Sequence, residues 1–111
     1  MSITAKVLIP AKQAENAQTT QYTAVNCKAS IVSFTATNTG ASNAWISVHI
    51  VASGGAASAS NQIIDERNIA PLETYTCPEL IGQMLESGMF LSTNTSASST
   101  ITIRASGYEI T

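Results

Sequence analysis

Residues 44–51 read "AWISVHIV". Ile46, Val48 and Ile50, continued by Ala52, alternate with Trp45, Ser47, His49 and Val51. A period of two is the signature of a strand that buries one face, so Ile46, Val48 and Ile50 are expected to point inward and the other set outward. The same reading extends toward both ends of the chain. "TITIRAS" (100–106) alternates strictly, with Ile101, Ile103 and Ala105 opposed to Thr100, Thr102, Arg104 and Ser106. "ITAKVLI" (3–9) reads as a first strand that Pro10 stops. "YTAVNCKASIVSFTATN" (22–38) holds one or two strands, with Val32, Phe34 and Ala36 on one side and Ile31, Ser33 and Thr35 on the other.

The intervening segments carry turn chemistry. "NTGASN" (38–43) has the Asn and Gly of a hairpin tip. "ASGGAASASN" (52–61) is uncharged, non-aromatic and small, and reads as a long loop. "QIIDERNI" (62–69) is ambiguous between strand and short helix. Pro71 opens a turn before Thr74-Tyr75-Thr76, and Pro78 closes it. "PELIGQML" (78–85) reads as one helical turn with Leu80, Ile81, Met84 and Leu85 packing inward. "SASS" (96–99) is another small-residue tip. Seven or eight short strands with a turn signal about every ten residues predict an all-β, single-domain antiparallel β-sandwich, jelly-roll-like, spanning 1–111. Residues 10–21, polar and without an apolar stripe, are expected to form an extended arm or long loop.

The chain has 111 residues, enough for one core. Only 11% are charged and the net charge is -2, against roughly 25% charged residues in ordinary soluble domains. Such a surface loses little on desolvation and repels its own copies weakly, which points to an assembly. Lys6, Lys12, Lys28, Arg67 and Arg104 are scattered, with no basic cluster for nucleic acid. No apolar run approaches the roughly 20 residues that cross a bilayer as a helix. "MSITAKVLIPAK" lacks a signal-peptide layout, so folding in a cytoplasm is expected. There Cys27 and Cys77, far apart and in no C-x-x-C, are expected to be free thiols rather than a disulfide.

Few residues suit catalysis. His49 is the single histidine and Asp65 the single aspartate, and no G-x-S-x-G elbow presents a serine. A Cys77–His49 dyad would require a thiol lodged in "TYTCPE". "SGGAAS" lacks the lysine and hydroxyl of a phosphate loop. No catalytic residue, metal or cofactor is expected. Trp45 and His49 lie on one strand face, which suits a core or partner contact, or alternatively a sugar platform. Gln13, Glu15, Gln18 and Gln21 in the polar arm are the remaining candidates for contact with a neighbouring subunit.

Taken together, "IVSFTATNTGASNAWISVHIVASGGAASASNQII", "IAPLETYTCPELIGQMLESGMFLST" and the ending "ITIRASGYEI" resemble a family of small all-β virion proteins of tailed bacteriophages. The resemblance covers Tyr22–Ile110. It rests on an N-T-(S/G) turn, an A-P-x-E-T-Y turn-strand and a closing (A/S)-G-x-E-(I/L). It implies an accessory structural part of the particle (head decoration or cement, neck or collar, or tail) that assembles as a homo-oligomer with other phage proteins. It brings no catalytic residue with it. The alternative is a host-surface or carbohydrate-binding adhesin module using Trp45 and His49.

Overall fold

The computed structural model describes residues 1–111. It has nine strands: β1 (Ile3–Gln13), β2 (Thr19–Thr23), β3 (Lys28–Asn38), β4 (Ala44–Val51), β5 (Gln62–Ile69), β6 (Thr74–Tyr75), β7 (Met84–Leu85), β8 (Phe90–Thr95) and β9 (Ile101–Ile110). All pair antiparallel, in two sheets. One sheet runs β1-β9-β3-β6, with β7 also on β3; the other runs β2-β8-β4-β5. With the two-residue β7 set aside, this is the winding of an eight-strand jelly roll. The chain changes sheet at most connections, so each sheet is assembled from strands distant in sequence.

The core lies between the sheets. Phe34, Ile46, Val48, Ile69, Leu91, Ile101, Ile103 and Ala105 are fully buried there. They are the inward set of the alternating strands, as expected for β4 and β9. Burying an aliphatic or aromatic side chain stabilises by roughly 1.5–3 kcal/mol, so this set supplies much of the driving force for folding. Ile50 is only half-buried, at the end of β4.

Several expectations require correction, each for a physical reason. Pro10 does not stop β1. That strand lies at the sheet edge, and its register shifts between Ile9 and Lys12, so the missing N–H breaks no required ladder bond. An earlier shift, between Val7 and Ile9, turns both Leu8 and Ile9 into the core. Residues 10–21 are therefore not a projecting arm. They complete β1, cross between the sheets with Ala14 buried, and enter β2. In β3 a shift between Ile31 and Ser33 buries Ile31 and expels Val32, reversing the expectation for both, while Phe34 and Ala36 do point inward.

"NTGASN" joins strands of opposite sheets rather than a hairpin. Asn38, fully buried, organises this crossing: its Nδ2 donates to Ser42 O and Ile69 O, both at 2.8 Å, and its Oδ1 accepts from Gly40 N–H. Residues 78–85 form turns and β7 instead of a helical turn. Leu80 and Leu85 are buried as expected, whereas Ile81 and Met84 are exposed.

The outer face of β4 is also covered. Ser47 accepts the N–H of Glu66, at 2.9 Å, where β5 bulges with φ 45°. The small-residue loop after β4 folds back over Val51, which is fully buried; Gly55 lies close against its side chain. A small residue suits position 55, where an added Cβ would stand 3.3 Å from a Val51 methyl carbon.

Candidate interaction face

Five of the nine large apolar side chains left exposed gather on one surface. At the end of the first sheet, Ile3, Ala5 and Val7 of β1 stand opposite Ile110, Tyr108 and Ser106 of β9; Tyr108 in turn stands opposite Ser30 of β3, and Ser30 opposite Met84 of β7. Directly opposed residues share a face. Ile3, Val7, Met84 and Tyr108 thus join the expelled Val32 on the outer face, each at least 41% exposed. A shallow groove of about 350 Å³ runs between Val7, Val32 and Tyr108. Farther along the sheet the same face turns polar, with Thr35, Thr37, Thr102 and Arg104. The bulges at Val7/Ile9 and Ile31/Ser33 build the apolar half, and strict alternation from the sequence does not reveal them.

The core-facing side of the same strand ends is closed by polar groups. Tyr22 Oη donates to Glu109 at 2.5 Å, and Lys6 Nζ donates to Glu109 at 3.2 Å. The Tyr22 bond, then Lys6, hold the Glu109 carboxyl below its usual range. Burial, reinforced by Glu109, raises the Tyr22 hydroxyl.

The expected contact residues are mostly engaged within the chain. Gln18 Nε2 donates to Ser92 Oγ at 2.7 Å and lies 3.5 Å from His49 Nδ1. Gln21 Nε2 donates to Glu15 at 2.9 Å and to Thr93 Oγ1 at 3.0 Å. Lys12 also bonds Glu15, at 3.1 Å, and Gln13 donates to Thr39 Oγ1 at 3.3 Å. Together these bonds fasten the β1–β2 crossing to the sandwich. His49 is buried and Trp45 half-buried, so their face presents one partly covered ring rather than an open platform. No three His, Cys, Asp or Glu side chains converge as a metal site would require.

Desolvation lowers the His49 pKa, against an opposing pull from Asp65. The Gln21 and Lys12 bonds lower that of Glu15, and the Tyr75 hydroxyl lowers that of Glu79. A depressed pKa contributes stability above the unfolded value and loses it as pH falls. His49 begins to withdraw its contribution below 6.5, and the glutamates below 4.5. The melting midpoint is therefore expected to fall as the pH drops below about 6.5, and His49→Gln to flatten the part of that fall above 4.5; a flat wild-type profile contradicts this.

Both thiols are free and buried. Tyr75 pairs with Ala36, nine residues along β3 from Cys27, or roughly 30 Å of strand. Cys77, two residues beyond Tyr75, cannot approach Cys27 within the roughly 7 Å a disulfide needs. Burial pushes the Cys77 thiol up to about 12. Without reductant, alkylation is expected to modify neither cysteine in the folded protein and both after denaturation. A mass showing fewer than two modified cysteines in denaturant contradicts the assignment.

The chain matches no family model, no curated protein and no solved structure.

Proposed function

We propose that this chain is a non-enzymatic structural protein of a tailed-bacteriophage particle, an accessory decoration, cement or collar-type subunit that assembles with its own copies and stabilises the particle. The observation that carries the assembly part is the outer face of Ile3, Val7, Val32, Met84 and Tyr108, concentrated on one end of one sheet. Exposed apolar side chains grouped in this way mark interaction surfaces, whereas single scattered ones do not. The low charge of the chain favours the same reading, because little hydration is lost on contact. The virion context comes from the sequence resemblance over Tyr22–Ile110. Architecture does not choose between roles, since jelly rolls serve as capsid subunits and as lectins alike.

Light scattering behind gel filtration tests the assembly part. The expected result is a species heavier than the 11.6 kDa chain, alone or with the capsid and tail proteins of the particle. A monomer in both mixtures contradicts it. A glycan screen tests the carbohydrate-binding alternative: saturable sugar binding that Trp45→Ala abolishes would replace the structural reading.

A further inference from the structure

We propose that two copies of this chain join edge to edge through Ile3–Val7 of β1, pairing antiparallel about a two-fold axis at Ala5. The proposal deepens the assembly reading and rests on it. The decisive geometry is in the backbone. Ser2 and Thr111 exchange both of their N–H···O bonds, at 2.8 and 2.9 Å. The register then runs Ile3↔Ile110, Thr4↔Glu109, Ala5↔Tyr108, Lys6↔Gly107 and Val7↔Ser106 without a shift. In an antiparallel pair, bonded and non-bonded positions alternate. Thr4 and Lys6 therefore bond to β9, while the N–H and C=O groups of Ile3, Ala5 and Val7 point away from it. β1 is the outermost strand of its sheet, so these groups face the open edge.

A second copy fits that edge in one register. Ala5 meets Ala5, and Ile3 meets Val7 in both directions. Three donors from each copy then form roughly six hydrogen bonds. Lys6, the one charge in the segment, faces Thr4 rather than another lysine. Ile3 and Val7 extend the apolar face across the join. The contact is isologous and closes with two copies.

The other edges are defended. β2 is five residues long and bulged, β5 is bulged and carries Asp65, Glu66 and Arg67, and β6 and β7 are two residues each. The second half of β1 has its own blocks in Pro10, Lys12 and two register shifts. Proline, charge and bulges are the devices that keep edges from pairing. Ile3–Val7 is a regular edge run that lacks all of them except Lys6.

Sedimentation over a range of concentrations tests the pairing, using wild type, Ala5→Lys, Ala5→Pro and, as a control, Val25→Lys at an exposed apolar position outside β1, between β2 and β3. Ala5→Lys sets two lysines face to face, and Ala5→Pro removes the central donors while leaving the β9 ladder intact. Both are expected to keep the wild-type melting transition and to weaken self-association by about tenfold or more; Val25→Lys is expected to leave it unchanged. Undiminished association in folded Ala5 variants overturns the edge pairing while the assembly reading stands. A wild type that stays monomeric alone overturns the pairing too, and the mixture with particle proteins then decides the broader reading.

Discussion

Gly107→Ala is expected to cost about 3 kcal/mol or more. Gly107 lies in β9, the strand between β1 and β3. A Cβ there would stand 1.9 Å from Ser30 O and 3.0 Å from Ser30 C, with Leu8 at 3.2 Å. The first obstacle is backbone, so no rotamer change relieves it. β3 would have to move away from β9 beside the bulge that expels Val32, disturbing a ladder that carries half the core. Against a domain stability of about 5–15 kcal/mol, this single methyl group leaves a marginal fold. Gly54→Ala serves as a contrast. Its φ is 77° and nothing lies within 4 Å of an added Cβ, so only backbone strain opposes it, at about 1 kcal/mol. Urea denaturation of the two variants gives the order directly; equal costs would mean that the close approach at Gly107 is absent in solution.

Phe34→Ala is expected to cost about 3–5 kcal/mol. Phe34 is fully buried and is one of the largest enclosed side chains. It stands opposite Ala105 on β9, where a small residue makes room for the ring. Truncation removes its transfer free energy and leaves a cavity that two hydrogen-bonded sheets cannot collapse to fill. Val32→Ala, two residues away on the exposed face, is expected to cost less than about 1 kcal/mol. If the two costs are similar, the bulge between Ile31 and Ser33 is misplaced and the outer apolar face loses Val32.

Period-two alternation made Ile46, Val48, Ile101, Ile103 and Ala105 legible as core, and with them the all-β sandwich. It failed at Leu8–Ile9 and at Val32, because a bulge shifts the phase without any change in residue type. The crossing at Asn38–Asn43 looked like a hairpin because Asn and Gly provide the same turn geometry whether the next strand pairs in the same sheet or the opposite one. β6 and β7 are too short to carry a period. Gln13, Glu15, Gln18 and Gln21 were recognisable as a polar group, but most of their partners (Thr39, Ser92 and Thr93) come from distant segments that only the jelly-roll winding brings close. The significance of Ile3–Val7 depends on β1 being an edge, which is a property of the pairing and not of the segment.

The most direct test of the central claim, that this chain is a structural subunit of a phage particle, is a density map of the intact particle. The account predicts symmetric copies of a 111-residue jelly roll bound at fixed stoichiometry on the head, neck or tail. Particles that are complete and contain no copy of the chain would contradict it.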